Sequence, residues 1–317
     1  MSTSRLDELR MVDPVLTTIA QGYSNSAMVA EFLFPSVQVS KLKGKIPVFG
    51  REAFIVRETD RAIRAQSNRI PPHDIELVSF ETKEQDIEVA IDYLEEEESP
   101  DFYKYEQHIA KELMDILLLG KEKEVADYVQ NVNNFATGLK NVLDSNSAWD
   151  DSTLAGISPI TDIWAAKTAI RQNIGRFPNT MVIGARAYKS LINHAALIEK
   201  VKYSGVTNIS AKVIAELFDI PSVNVGMSVY SDDGVNFNDV WNDNVILAYV
   251  DKNEKANRTE FNPSYGYCFQ REGKPEIDTY FENGGKIKVV RSTDNYCIKV
   301  TAADAAYLIS HTNHNDA

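Results

Sequence analysis

The sequence has little of what builds a disulfide framework or a membrane span. Its 317 residues include two cysteines, Cys268 and Cys297, which lack metal-ligand spacing, and we expect both to be free thiols on strands. No apolar run approaches the roughly 20 residues that cross a bilayer, and the candidate at residues 116–119 stops at Gly120. The N-terminal MSTSRLDELR has no apolar signal core, so we expect a cytosolic chain.

Basic residues are outnumbered, because 33 Lys and Arg stand against 46 Asp and Glu and give a formal net charge of −13. Affinity for nucleic acid comes mainly from Lys and Arg contacts to phosphate, so such a chain is a poor general ligand for DNA. If the protein forms a container for DNA, we expect the inner surface of that container to bind the DNA weakly. A single core stops growing at about 250–300 residues, so we expect two lobes or one domain with long excursions.

Motifs for catalysis, cofactors and metals are also scarce. His311 and His314 have helical ligand spacing, but no acid follows in a metalloprotease pattern, so a mobile tail is favoured. Adjacent carboxylates rarely converge on one cation, so the run Glu95, Glu96, Glu97 and Glu98 is interpreted as solvated rather than as a divalent-cation site. The other histidines are isolated, and surface or capping roles are expected for His73, His108 and His194. We therefore predict no catalytic residue, no cofactor and no metal site.

The first 45 residues have the pattern of an arm. Residues 15–20 form one short helical pattern, residues 28–35 form an apolar patch, and Val37 and Val39 alternate with polar neighbours as in an edge strand. These apolar residues are too few to form a core alone, so we expect another surface to bury them.

Residues 46–92 predict two long β-strands. Residues 46–56 form the first, and the alternation over residues 75–81 and 87–91 indicates the return. The tip, residues 59–72, is polar and ends in Pro71-Pro72, which cannot continue a ladder. We expect a hairpin too long and too polar at its tip to pack entirely on its own domain.

The clearest element is a helix over residues 102–129. Ile109, Leu113, Val125 and Val129 follow three- and four-residue spacing, and Ser99 or Asp101 is a plausible N-cap. At 1.5 Å per residue it is roughly 40 Å long, so we interpret it as a spine. The intervening charged residues predict a solvated opposite face: Lys104, Glu106, Lys111, Glu112, Lys121, Glu122, Lys123 and Glu124.

After a polar boundary at residues 131–159, the pattern is typical of an α/β lobe. Helices are predicted over residues 161–174, 185–194 and 211–218, and strands over 180–183, 223–225 and 245–250. From residue 261 the chain is mainly strand, at 265–269, 277–280, 286–291 and 295–300, and a short helix from Ala302 to Ile309 closes it. Trp164, Trp241 and the tyrosines of 265–269 are predicted to be core, and Gly234 and Gly284-Gly285 hairpin turns.

The order of these elements resembles the major capsid proteins of tailed phages, an α+β class with the Hong Kong 97-type fold. The resemblance covers essentially the whole chain, and no single string carries it alone. The matching strings are GKIPVFGREAF (44–54), GRFPNTMVIGARAYKSLINH (175–194), LFDIPSVNVGMSVY (217–230), VWNDNVILAYV (240–250), PSYGYCF (263–269) and DNYCIKVTAADAAYLI (294–309).

The resemblance implies a domain plan and a function. The plan is an N-terminal arm (1–45), an extended β-hairpin loop (46–82), a peripheral domain with the spine helix (83–159), an axial domain (160–254) and a return to the peripheral domain (255–317). Arm and loop would reach neighbouring subunits, and the subunits would form pentamers and hexamers of one icosahedral shell. We expect a virion protein that is made in the bacterial host cytoplasm and encloses DNA without sequence-specific binding.

Local charge suggests how the copies meet. Residues 51–71 hold five arginines and three acids, whereas residues 74–101 hold twelve acids and one lysine. We hypothesise that the basic loop tip of one subunit lies on the acidic region of its neighbour; the alternative is that each is merely a solvated face. The residues proposed for this inter-subunit contact are Arg57, Arg61, Arg64, Arg69, Glu95, Glu96, Glu97 and Glu98.

Some capsid proteins of this fold crosslink themselves through a loop lysine. Residues 46–82 contain no lysine, and the nearest, Lys45 and Lys83, lie at the hairpin base, so we predict a noncovalent shell. No long helical segment precedes the arm, so a separate scaffolding protein is expected, with a portal and decoration proteins as possible partners. Two alternatives stay open: a nanocompartment shell of the same fold, which would hold cargo enzymes, and an unrelated α/β enzyme, which would be a monomer with a pocket.

Overall fold

The computed structural model describes residues 11–47, 59–61, 66–69, 77–98, 102–144, 147–150, 158–202, 208–253 and 262–314. It has an α+β architecture with two main sheets, as predicted. The helices are α1 (Pro14–Gly22), α2 (Ala30–Leu33), α3 (Tyr93–Glu98), α4 (Phe102–Val129), α5 (Pro159–Ile174), α6 (Ala185–Asn193), α7 (Ala195–Val201) and α8 (Ala211–Phe218). The strands are β1 (Met11–Val12), β2 (Ser36–Val39), β3 (Lys43–Pro47), β4 (Leu77–Glu81), β5 (Lys83–Asp92), β6 (Lys140–Val142), β7 (Thr180–Gly184), β8 (Ser222–Gly226), β9 (Val229–Tyr230), β10 (Asn238–Asp239), β11 (Val245–Ala248), β12 (Gly266–Arg271), β13 (Glu276–Glu282), β14 (Ile287–Val300) and β15 (Ala306–Ser310).

A six-stranded sheet is built around β14. Its order is β1-β13-β14-β12-β2, and β5 pairs with β14 as well. The two strands predicted at 286–291 and 295–300 are this one continuous strand. Helices α1 and α4 contribute Leu16 and Leu113 to a core with Ile91, Ile277 and Val290 of the sheet, so they cover one of its faces.

The five-stranded sheet has the order β6-β15-β11-β7-β8. Its inner strands β7, β11 and β15 are buried at every residue. Alternate side chains enter two cores: Met181 and Leu247 pack with α5, whereas Val182 and Ile246 pack with the C-terminal part of α4. Burial on both faces requires apolar side chains at successive positions, which explains the continuous apolar runs in the sequence.

The spine helix has the predicted bounds, and it joins the two cores. Leu113 packs in the core against the six-stranded sheet, and Val125 packs in the core against the five-stranded sheet. The prediction that the opposite face of this helix is solvated is only partly correct, since Glu106, Lys121 and Glu122 are buried. A helix that lies between two sheets must bury part of its polar face as well.

The prediction that another surface buries the apolar residues of the arm is confirmed for its described part, and that surface belongs to the same subunit. Asp13 Oδ1 caps α1 by accepting from the backbone N–H of Val15 (2.8 Å), and Leu16 is buried against the chain's own spine helix and sheet. Leu33 and Phe34 are buried in the main core, and β2 pairs with β12 in parallel. The arm pattern looked insufficient because the surfaces that bury it lie about 100 and 230 residues further along the chain.

Two strands cross the boundaries drawn from the sequence. The helix predicted from Ala302 to Ile309 is wrong: residues Ala303–Ala305 form one 3-10 turn, and β15 follows. Strand β15 pairs antiparallel with β11 and parallel with β6, so parts of segments 83–159 and 255–317 complete the five-stranded sheet. The alanine-rich stretch has a high helix propensity, but strand pairing and complete burial determine its conformation.

The loop hairpin has a defined base. Strands β3 and β4 pair antiparallel, but the predicted return strand breaks at Thr82, and β5 joins the six-stranded sheet. Phe80 of β4 stacks on Phe269 of β12 with 4.8 Å between ring centroids. The predicted strand over residues 54–56 lies outside the described residues.

Candidate assembly interface

The loop arginines are described in part. Arg61 and Arg69 are exposed, whereas Arg57 and Arg64 lie outside the described residues. Asn68 Nδ2 donates to the backbone oxygen of Asp60 at 3.1 Å, so the chain segments that carry Arg61 and Arg69 lie against each other. The two guanidinium groups therefore belong to one stretch of surface.

The base from which this loop departs is fixed by packing. Phe80 and Ile46 are buried with Tyr267 and Phe269 under the hairpin. Gly44 lies against Phe80: a Cβ at this position would come within 2.6 Å of the Phe80 ring, so the close approach depends on glycine. The loop therefore starts and ends at a rigid point of the subunit.

The four glutamates lie on α3, which packs beside β5. Glu95 and Glu98 are exposed; Glu96 and Glu97 are in the same helix, but their side chains lie outside the described residues. The structure thus puts this run on a surface helix, and the predicted N-cap at Ser99 or Asp101 is not among the described residues.

Strand β5 carries a second group of acids within the acidic region of residues 74–101. Alternation places Glu84, Asp86, Glu88 and Asp92 on one face, all exposed, while Ile91 points toward the spine helix. Neighbouring carboxylates two residues apart are roughly 7 Å from each other. Their repulsion is about 0.6 kcal/mol per pair in water, so a cation from outside would relieve it.

The register extends this acidic face across the sheet. Asp278 of β13 and Glu88 of β5 both lie opposite Arg291 of β14. Arg291 Nη2 donates to Asp278 Oδ2 at 2.6 Å, and this hydrogen bond raises the pKa of the Arg291 guanidinium. Arg291 is therefore held by a buried partner. The alternation of acids in residues 84–92 was the signal for this face, but only strand pairing shows that Glu276 and Glu282 of β13 lie on the same side.

The remaining candidates have structural roles where they are described. His194 caps α7 by accepting from the Ala196 N–H through Nδ1 (3.2 Å), and burial lowers its pKa. His314 is not in a mobile tail, since its ring Nδ1 lies 2.7 Å from Asp150 Oδ1. Trp241 is core as predicted, but the same prediction for Trp164 is wrong, because its side chain is 41% exposed. His73 lies outside the described residues.

Both cysteines are free thiols on strands, as predicted. Within the described ranges, no three His, Cys, Asp or Glu side chains are grouped as metal ligands would be. Among the helices of those same ranges, none combines the length and apolar character that a bilayer crossing needs.

Comparison with known proteins gives a consistent result. No protein-family model matches the sequence. A protein of Burkholderia phage BcepMu named "Major capsid protein" is 44% identical over 310 residues, which cover 98% of this chain and 99% of that relative. A crystal structure of a phage-related protein from Bordetella bronchiseptica has a TM-score of 0.81 at 28% identity, over 97% of this chain and 99% of that chain. A virus-like particle from Pyrococcus furiosus has a TM-score of 0.55 at 12% identity over 96% and 98% of the two chains, which shows a shared fold alone.

Proposed function

The chain belongs to the family of phage major capsid proteins, and from this premise we propose that its copies assemble noncovalently, as pentamers and hexamers, into the icosahedral shell around a phage genome. The observation that supports assembly most directly is the acidic face of β5 together with the exposed loop arginines. A chain with net charge −13 has little affinity for polyphosphate, so its role toward DNA is that of a container without sequence-specific binding.

In this proposal the loop arginines of one subunit, Arg57, Arg61, Arg64 and Arg69, lie on the acidic surface of its neighbour. That surface is the acidic region of residues 74–101, to which both Glu95–Glu98 and the exposed carboxylates of β5 belong. Each exposed pair contributes only about 0–1 kcal/mol. Repetition over hundreds of contacts and steering during assembly give such pairs their effect. The buried hairpin base supports the proposal, since a fixed departure point aims the loop in one direction.

The test is charge reversal at Arg61 and Arg64 of the full chain, followed by electron microscopy. We expect few closed shells from Arg61→Glu/Arg64→Glu, and recovery when Asp86→Lys and Glu88→Lys are added, because the swap restores opposite charges. The matched control is Lys104→Glu/Lys111→Glu, which reverses two exposed lysines of the spine helix. Undisturbed shells from the loop variant would contradict the contact, and wild-type protein that stays monomeric even when it is coexpressed with the scaffolding protein would contradict the assembly proposal.

The alternatives have less support. A nanocompartment shell shares the fold, but the nearly full-length relative named as a phage capsid protein favours a genome container. A structural role also fits better than an enzyme, and we infer no catalytic step. Synthesis in the host cytoplasm and partnership with a scaffolding protein, a portal and decoration proteins remain part of the proposal.

A further inference from the structure

A two-stranded ribbon, β9 and β10, leaves the five-stranded sheet after β8 and returns before β11. Its tip carries Val235 and Phe237, which are 76% and 75% exposed. No other large hydrophobic residue in the described part of the chain is as exposed. Apolar side chains presented together at a loop tip usually mark a contact surface.

The tip is rigid because one carboxylate organises it. Asp233 Oδ1 accepts from the backbone N–H groups of Val235 (2.8 Å) and Asn236 (2.7 Å), and from the Ser231 hydroxyl (3.1 Å). Asp233 Oδ2 accepts from Asn236 Nδ2 at 2.7 Å. These hydrogen bonds hold the pKa of Asp233 far below its usual range, so the turn persists at any physiological pH.

The ribbon's base is anchored on the body. Lys123 Nζ lies 4.4 Å from the centroid of the Tyr230 ring, and Arg186 Nε donates to Asp239 Oδ2 at 3.2 Å. The exposed pair is therefore held in position before any partner arrives. Preorganisation of this kind lowers the entropy lost on binding.

A complementary surface lies at the end of α5. Phe177 is 45% exposed, and the Arg171 guanidinium carbon lies 5.0 Å from its ring centroid. The exposed Trp164 belongs to the same region, because Lys167 Nζ lies 4.3 Å from the Trp164 ring centroid and 5.4 Å from the Phe177 ring centroid. Arg176 adjoins Phe177 in the turn between α5 and β7. This aromatic patch with two arginines suits the ribbon tip, where Asp232 and Asp233 adjoin the apolar pair.

The two surfaces lie at opposite ends of β7. The ribbon departs after Gly226, which pairs with Gly184 at one end of β7, whereas Phe177 precedes Thr180 at the other end. Two different patches on opposite ends of one lobe can make a head-to-tail contact between copies, and such contacts form a ring when the rotation between copies closes. We propose that the ribbon tip of one copy, Val235 and Phe237, docks on the Phe177–Arg171–Trp164 surface of the next copy within a capsomer. This proposal rests on the proposed assembly into a shell.

The first test compares two double-serine variants of the full chain. We expect Val235→Ser/Phe237→Ser to reduce shell yield at least tenfold while circular dichroism of the subunit is unchanged, since both side chains are already in water. The control Met227→Ser/Val229→Ser removes two other exposed apolar side chains of the same ribbon, and it should assemble. Shells from the tip variant at wild-type yield would overturn the docking but leave the proposed function intact. If wild-type protein gives no shells even when it is coexpressed with the scaffolding protein, the proposed function fails and the docking fails with it.

The second test identifies the occupant. In shells that carry Cys297→Ser, Asn238→Cys on the ribbon and Thr168→Cys on α5, a short bis-maleimide should link chains into a ladder that ends at five and six. The control carries Glu199→Cys, at an exposed position on α7, in place of Thr168→Cys. It should give no ladder. A ladder absent from the first pair means that something other than a second copy covers the tip, and it overturns the proposal.

Discussion

The five-stranded sheet and strand β5 are both β-structure, but they differ in what surrounds them. Every residue of β7, β11 and β15 is buried, whereas β5 is exposed at eight of its ten positions. The apolar composition of these three strands is explained within their own subunit, since their apolar side chains pack in its two cores. On the acidic face of β5, Glu88 accepts from the Tyr280 hydroxyl at 2.9 Å and lies opposite Arg291. The carboxylates of this face also repel one another, so we infer that a neighbouring subunit explains their number better than the fold does.

The largest expected effect separates the two regions by stability. Leu247→Ala removes a fully buried side chain of β11 and should lower the free energy of unfolding by about 2–5 kcal/mol. Urea denaturation of the unassembled subunit measures it. The matched truncation Val89→Ala, on an exposed position of β5, should cost about 0.5 kcal/mol or less. Equal losses would contradict the distinction.

The pH dependence of the free energy of unfolding tests the buried region. Burial lowers the pKa of His194 below its ordinary 6.5, so the folded state binds fewer protons than the unfolded chain between these two values. The stability from neutral His194 is complete above pH 6.5 and is lost as the pH falls through the folded pKa. Urea midpoints should therefore fall on acidification, and less so in His194→Asn, which keeps a capping acceptor. The exposed His108→Asn serves as control, and an unchanged slope in His194→Asn contradicts the account.

Neutralising the acids should separate stability from assembly. Glu84→Gln/Asp86→Asn relieves repulsion on β5, so the free energy of unfolding should rise by about 0–1 kcal/mol. Assembly followed by light scattering should nevertheless slow down, most clearly at low salt, because attraction to the loop arginines is lost. Glu112→Gln/Glu199→Gln makes the same charge change at exposed positions elsewhere. If both pairs slow assembly alike, net charge is responsible and β5 is not.

The last prediction is that no covalent bond forms between subunits. Residues 46–82 contain no lysine, so purified shells heated in denaturing gel buffer should run at the mass of a single chain. Covalent multimers in that gel would show a crosslink and contradict a purely noncovalent contact.

The sequence predicted the elements whose burial follows a simple period. Helix α4 has its predicted bounds, and β7 and α8 agree within a residue, because the buried side of each is apolar at regular spacing. Gly175 ends α5 in the left-handed conformation, as expected of a C-terminal glycine.

The misses come from contacts that are distant in sequence. Ala306–Ser310 is a strand because β11 and β6 lie on either side of it. The sequence predicted that another surface buries Leu33, but it did not identify that surface, whose residues lie far along the chain. The excess of acids over residues 74–101 is visible in the sequence, but the sequence does not show which of these carboxylates share a face. The face shared by Glu88 and Glu282 exists only once β5, β14 and β13 are paired.

The most direct measurement is a cryo-electron microscopy map of assembled shells at side-chain resolution. The account predicts that guanidinium groups from the loop, those of Arg61 or Arg69 among them, lie within about 4 Å of a neighbour's Asp86, Glu88 or Glu95 carboxylate. A map in which the acidic face of β5 points to solvent, or in which the loop lies on its own subunit, would contradict it.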